Sequence, residues 1–167
     1  RTLVLVDRSG SMFGRMSERS ELTSADAAAV FGAAVAMRNH GRVDLVEFGN
    51  GSNQITVSPG ESLLKVIGRF GNLGGTQTLA AVQRWYAKHD RVLIVTDEQA
   101  WSGYGDPGSA VPANVPLYTW NLVGYAAGHG KSGPSRHTFA GLTDQAFRMV
   151  PLLEAGRNGA WPWETAK

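Results

Sequence analysis

The sequence has 167 residues, of which 43% are hydrophobic and 18% are charged, and its formal net charge is +2. This length and composition predict one globular domain with a single core, since disordered chains are poorer in apolar residues. The absence of cysteine excludes disulfides and thiolate metal sites, the charge is too small to indicate nucleic-acid binding, and no apolar run approaches the roughly 20 residues of a membrane-spanning helix.

Six short apolar runs predict the strands of one sheet. The first run is continuously apolar until it ends in Asp7, which is typical of a strand buried on both faces of a parallel sheet. The turn-rich segment between the second and third runs predicts an antiparallel hairpin at one sheet edge. In chain order, the predicted strands are Thr2–Val6, Arg42–Phe48, Gln54–Val57, Val92–Val95, Leu117–Val123 and His137–Phe139.

Four helices are predicted between and after these strands. Ser24 is expected to cap the first helix, an alanine-rich segment with Asp26 in its first turn and apolar residues on nearly all sides. Pro151 is expected to end or kink the last helix near Val150. The predicted helices cover Ala25–Met37, Leu63–Phe70, Thr78–Lys88 and a final segment that Thr143 caps.

This alternation of strands and helices predicts a doubly wound α/β fold. We expect a mostly parallel central sheet with one antiparallel edge strand and helices on both faces. In such folds, ligands bind beyond the carboxyl ends of the strands. That rule points to Asp7 and Asp97, because each directly follows an apolar strand.

Five oxygen-bearing side chains are expected to converge at this edge of the sheet. They are Asp7, Ser9, Ser11, Thr76 and Asp97. All are hard oxygen donors, which favours Mg²⁺, Mn²⁺ or Ca²⁺ over zinc or copper, and so few protein ligands leave positions for water and a ligand. Taken singly, each hydroxyl or carboxylate could merely stabilise a turn. The combination in this order indicates a metal site.

The same five residues resemble the metal-ion-dependent adhesion site of the von Willebrand factor A family, and Met12 matches the frequent DxSGSM form of its motif. The resemblance covers essentially the whole chain. It implies that Ser9, Ser11 and Thr76 coordinate the ion directly, and that the two aspartates often act through water. It also implies that an acidic side chain of a protein partner completes the metal shell.

Within that family, the chain is similar to the C-terminal A-domain of Ro (TROVE) proteins. The segments that suggest this are Leu5–Met12, Gly74–Thr78 and Val95–Trp101. The resemblance implies that non-coding RNA binds to a separate ring of helical repeats, so we expect this chain to be one domain cut from a larger protein. Residues 1–156 are expected to form the domain, and the tryptophan-containing tail 157–167 to dock on it or on a neighbour. The lack of cysteine is compatible with a cytoplasmic location.

Two residues beside the predicted ion are candidates for a ligand-binding rim. Arg8, with Arg15 and Arg19 nearby, could attract an acidic ligand, although loop arginines are more often simply solvated. Trp101 could offer an aromatic contact surface, or it could only pack its own loop down.

Enzymatic function is the main rival interpretation. A magnesium-dependent phosphatase of the haloacid-dehalogenase type would need a second aspartate where Ser9 stands, and none of the histidines lies in a strand-end loop of the five oxygens. We therefore expect no catalytic residues and no enzymatic activity. A direct RNA-binding module is the third interpretation, but recognition motifs and a strong basic stripe are lacking.

Overall fold

A computed structural model describes residues 1–97, 105–123, 134–141, 150–151 and 153–154 of the chain. Six strands form one sheet in the order β3-β2-β1-β4-β5-β6. All neighbours are parallel except β2 and β3, which form the predicted antiparallel hairpin at one edge. The strands are β1 Thr2–Asp7, β2 Val43–Phe48, β3 Ser52–Gln54, β4 Arg91–Thr96, β5 Leu117–Asn121 and β6 Arg136–Ala140. The predicted α/β architecture is confirmed.

Three α-helices and two short 3₁₀ helices are described. They are the 3₁₀ helix Gly10–Phe13, α1 Ser24–Arg38, α2 Leu63–Ile67, α3 Thr78–Trp85 and the 3₁₀ helix Pro107–Ala110. The final predicted helix has only residues 150–151 and 153–154 inside the described part of the chain, where they are helical. Thr143 and the tail 157–167 lie outside it, so the domain division stays a prediction. No helix within these described ranges is long and apolar enough to cross a bilayer.

The centre of the sheet is β1, which is buried along its whole length between β2 and β4. Because side chains alternate along a strand, Val4 and Val6 pack into the core under α1, whereas Leu3 and Leu5 pack into the core under α3. Helix α1 lies very close to the sheet at Gly32, where a Cβ atom would stand 2.6 Å from Val6 Cγ2. This packing on both faces fixes the end of β1, from which the candidate site starts.

The N-cap of α1 is Thr23, not Ser24 as the sequence predicted. Thr23 Oγ1 accepts a hydrogen bond from Asp26 N at 3.1 Å, and Thr23 N donates to Asp26 Oδ2 at 3.1 Å. This reciprocal pair is a capping box, which needs an acidic or amide side chain three residues after the cap. Ser24 has Ala27 at that distance and cannot form one.

Several predicted boundaries were also too long or displaced. Strand β3 begins two residues earlier than predicted, because Ser52 already pairs with Phe48 across a tight turn. Helix α3 ends at Trp85 instead of Lys88, since Tyr86 takes extended backbone angles and Lys88 a positive φ of 54°. Helix α2 is limited to five residues. These shifts leave the order of the elements unchanged.

Candidate metal centre

The two aspartates of the candidate site lie at the carboxyl ends of adjacent parallel strands. Val6 of β1 is in register with Val95 of β4, so Asp7 and Asp97 emerge at the same edge of the sheet. Both are almost completely buried, with Asp7 0% and Asp97 3% exposed. The topology therefore brings together two carboxylates that are 90 positions apart in the sequence.

Asp7 is held by two neutral donors. Ser9 N donates to Asp7 Oδ1 at 2.8 Å, and Thr96 Oγ1 donates to Asp7 Oδ2 at 2.6 Å. Burial raises the pKa of Asp7 to about 6; these hydrogen bonds oppose the rise, and the charge of Asp97 adds to it. A cation at this position would stabilise the ionised carboxylate, and so offset both the free-energy cost of burying its charge and its repulsion from Asp97.

The two serines stand side by side directly after β1. Ser9 Oγ lies 3.3 Å from Ser11 Oγ, and the 3₁₀ helix that contains Ser11 begins with the bond from Met12 N to Ser9 O. Met12 is fully buried in the core under α1 and fixes this turn. Neighbouring oxygens in an octahedral magnesium shell are about 3 Å apart, given metal–oxygen bonds of about 2.1 Å. The spacing of the two hydroxyls therefore fits such an ion.

Thr76 reaches the same edge because its loop is bound to the loop that carries the serines. Gly10 N donates to Gly74 O at 2.6 Å, and Leu73 N donates to Arg8 O at 2.9 Å. Ser9 and Gly74 consequently form an isolated parallel bridge beyond the end of the sheet. Thr76 follows Gly74 by two residues and is half-buried.

Close backbone approach explains two of the glycines around this loop. A Cβ atom on Gly49 would lie 2.4 Å from Leu73 Cβ and 2.9 Å from Gly75 O. A Cβ atom on Gly75 would lie 2.2 Å from Asn50 Oδ1. Gly49 and Asn50 lie in the segment predicted to be a turn, and the structure shows that they also support the Thr76 loop. The sequence signal for this role is that the turn directly follows β2, whose carboxyl end lies on the same side of the sheet as that of β1.

The structure does not place Arg8 on the ligand-binding rim that the sequence predicted. Arg8 is only 6% exposed, because its guanidinium group points beneath the loop and donates to backbone carbonyl oxygens. Arg8 is therefore a buried residue under the site, and its expected place on a charged rim is wrong. Arg15 and Arg19 are exposed. Trp101 lies outside the described residues, so its predicted contact surface stays a prediction.

The donor set is dominated by hydroxyl and carboxylate oxygens. Among the residues that the structure describes, no group of three or more histidine, aspartate or glutamate side chains is placed to hold a metal ion. The predicted set combines two aspartates with the hydroxyls of Ser9, Ser11 and Thr76. That combination suits a hard, water-retaining ion.

Comparisons with solved structures identify several proteins of the same shape. The Ro (RSR) protein of Deinococcus radiodurans matches 95% of this chain with a TM-score of 0.69 and 20% identity, and this chain spans 34% of its length. An aerotolerance-related membrane protein of Bacteroides fragilis matches with a TM-score of 0.58 and 10% identity, over 95% of this chain and 98% of its own. The manganese-loaded TRAP protein of Plasmodium vivax matches with a TM-score of 0.50 and 15% identity, over 90% and 71%.

No protein-family description matches the sequence, and no curated protein is significantly similar to it. At these identities the structural likeness shows the fold alone. It confirms the prediction of a von Willebrand factor A-like fold.

Proposed function

We propose, from its von Willebrand factor A-like fold, that this chain is a metal-dependent ligand-binding domain. Asp7, Ser9, Ser11, Thr76 and Asp97 would hold one divalent ion at the carboxyl edge of the sheet. The observation that carries the proposal is the placement of the Ser9 and Ser11 hydroxyls, 3.3 Å apart, beside the buried Asp7 carboxylate. Ser9 is the N-cap residue of the 3₁₀ helix, yet its side chain makes no capping hydrogen bond.

Mg²⁺ or Mn²⁺ is the ion that this donor set favours, and Ca²⁺ is the alternative. The oxygens are hard, the two hydroxyls have near-octahedral spacing, and few protein donors are present for a calcium shell of six to eight. The manganese-loaded state of the TRAP protein, which shares the fold, supports a divalent ion here.

The proposed ligand is a carboxylate of a protein partner. Two aspartates only balance the charge of a divalent ion, so the open position can still accept an anionic ligand, which exposed Arg15 and Arg19 would help to attract. Arg8 does not contribute directly, because its side chain is directed into the protein. Within this chain, Ser9, Ser11 and Thr76 would orient the ion, and we propose that the domain binds without catalysing a reaction.

The larger protein is proposed to be a Ro-like ribonucleoprotein in the cytoplasm. The likeness of fold to the Ro protein and the motif resemblance support this assignment. Non-coding RNA would then bind to the helical-repeat ring expected elsewhere in that protein. The modest net charge of +2 supports a protein-binding role for the present domain.

Calorimetric titration of the domain with Mn²⁺ and with Mg²⁺ tests the proposal. We expect one site in the wild type, no binding in the Ser9→Ala/Ser11→Ala variant, and unchanged binding in Ser17→Ala, which removes an exposed hydroxyl a few residues away. Binding that persists in the double variant would overturn the site.

A second experiment tests the ligand. The parent protein is used to capture partners with and without chelator, and each captured partner is then tested with its acidic residues replaced by amides. We expect both chelation and the amide replacements to abolish capture. A partner that binds equally well in both conditions would show that the interface lies elsewhere.

A further inference from the structure

Arg8 has an unusual environment for an arginine at the start of a loop. Its Nε donates to Gly71 O at 2.6 Å, and its Nη1 donates to Ala25 O at 2.7 Å. Gly71 begins the segment that leads to Thr76, and Ala25 lies in the first turn of α1. One side chain therefore joins the loop of Ser9 and Ser11 to two other segments.

Two aromatic rings flank the charged group. The guanidinium carbon lies 4.9 Å from the centroid of the Phe13 ring and 5.5 Å from that of Phe70. Such contacts stabilise a desolvated cation and restrict its orientation. Phe13 ends the 3₁₀ helix of Ser11, and Phe70 directly precedes Gly71. One ring thus belongs to the loop of Ser9 and Ser11, and the other precedes Gly71 in the segment to which the guanidinium bonds.

Both backbone polar groups of Gly71 are hydrogen-bonded to charged side chains. Its carbonyl oxygen accepts from Arg8, and its N–H donates to Glu47 Oε2 at 2.7 Å. Glu47 is itself 5% exposed and lies near enough to Arg8 for the two charges to attract. The backbone of Arg8 adds a third link, since its carbonyl oxygen accepts from Leu73 N at 2.9 Å.

We propose that Arg8 is a positioning residue for the metal centre, setting the distance between the Ser9–Ser11 loop and the Thr76 loop. The inference rests on the proposed function, because it assumes that these loops share one ion. Arg8 has no direct contact with the ion in this arrangement. It acts by bonding to a carbonyl oxygen of the segment that leads to Thr76 and to one of α1, with a rigid, planar group that lysine cannot reproduce.

Arg136 provides a matched control, because its guanidinium also donates to backbone carbonyl oxygens but lies at the amino end of a strand. It is the first residue of β6, and its guanidinium donates to Val115 O at 2.6 Å and to Val111 O at 2.8 Å. Arg136→Lys therefore removes an arginine that also joins two segments through carbonyl bonds. A purely structural role for Arg8 predicts that the two lysine variants behave alike.

The experiment measures two quantities for the wild type, Arg8→Lys and Arg136→Lys. One is the dissociation constant for Mn²⁺ by calorimetry, and the other is the melting temperature in chelator. We expect both variants to lose thermal stability, but only Arg8→Lys to bind Mn²⁺ about 10–100-fold more weakly, as residues that orient metal ligands commonly do. Equal affinities in the two lysine variants would overturn the proposal.

A wild type that fails to bind Mn²⁺ would instead overturn the proposed function itself, so the two failures are distinguishable. If Arg8→Lys does not fold, Phe70→Leu keeps the test open. That variant retains Arg8 and removes only one ring from beside it. We expect Phe70→Leu to bind Mn²⁺ more weakly than Arg136→Lys does, and an affinity equal to that of Arg136→Lys would overturn the positioning role.

Discussion

Carboxylates at the two ends of the parallel strands have different partners. We call the side of the sheet where these strands begin the amino edge, and the side where they end the carboxyl edge. At the amino edge, Asp44 Oδ2 lies 2.7 Å from His89 Nε2, and Glu154 accepts two bonds from Arg91 at 2.6 and 2.7 Å. At the carboxyl edge, Asp7 is held by a hydroxyl and a peptide N–H, with Asp97 close enough to repel it. One edge balances its charges within the chain, whereas the other gathers negative charge at a single point.

The pKa values follow the same division. Burial acts on Asp44 too, yet hydrogen bonds from His89 and Arg1 outweigh it and hold the pKa of Asp44 below its ordinary value. Neutral donors do not outweigh burial at Asp7, whose pKa rises to about 6. The ionised form of a buried acid is therefore stabilised either by a charged group of the protein or by a bound cation. At the carboxyl edge, the divalent ion proposed above would be such an external partner for Asp7.

The largest expected effect is stabilisation of the carboxyl edge by metal. At a Mn²⁺ concentration about 100 times the dissociation constant, binding should raise the free energy of unfolding by about 2.7 kcal/mol. Urea unfolding in Mn²⁺ and in chelator measures this increment. We expect it to vanish in Asp97→Asn and to persist in Glu154→Gln, whose change lies at the amino edge. An increment retained by Asp97→Asn would break the comparison.

The next effect concerns Asp7 in chelator. Its folded pKa of about 6 lies above the unfolded value of about 3.9, so protonation favours the folded state; that stability is present below about pH 4 and is lost as the pH rises through 6. Asp7→Asn cannot ionise and avoids the loss. We expect the variant to gain about 1–2 kcal/mol relative to the wild type between pH 4 and pH 7.5. Chemical unfolding at both pH values measures it, and a gain that does not depend on pH would contradict the assignment.

A comparable or smaller effect is expected when the amino edge loses an internal partner. The bidentate pair of Arg91 and Glu154 is partly exposed, with side-chain exposures of 35% and 22%. Glu154→Gln should therefore cost only about 1–2 kcal/mol, and it should leave Mn²⁺ affinity unchanged. Thermal unfolding and calorimetry give the two values. A changed affinity would mean that the two edges are coupled.

The smallest effect is expected from the exposed arginines that follow the loop of Ser9 and Ser11 in the sequence. The Arg15→Ala/Arg19→Ala variant should change the free energy of unfolding by less than about 0.5 kcal/mol, because both side chains are solvated. It should slow association with an acidic partner and reduce the salt dependence of that rate, since peripheral charges steer more than they anchor. Stopped-flow measurements at several salt concentrations test this, and an unchanged association rate would rule out steering.

The convergence of the site could be predicted from the sequence because it depends on strand direction. Once β1 and β4 are recognised as parallel neighbours, Asp7 and Asp97 must emerge at one edge. The place of Arg8 could not be predicted in this way. Whether a loop arginine faces water depends on carbonyl groups 17 and 63 positions away, and on where two phenylalanine rings come to rest.

The same distinction explains the smaller errors. The cap of α1 at Thr23 follows from a local rule, and the sequence contained the needed Asp26. The early start of β3 depends instead on which residue faces Phe48 across the hairpin. Local chemistry was thus readable in principle, whereas register and the direction of long side chains depend on tertiary packing.

The pairing of β1 with β4 also determines when the two aspartates can come together during synthesis of the chain. As the chain leaves the ribosome, β1 and β2 become available early, but the strand that carries Asp97 follows some 90 residues later. Such long-range parallel pairing is slow, since a large loop must close before any contact forms. A nascent chain that has not yet added β4 therefore has Ser9 and Ser11 without their second carboxylate. The proposed ion would therefore be acquired late, after the central strands have assembled.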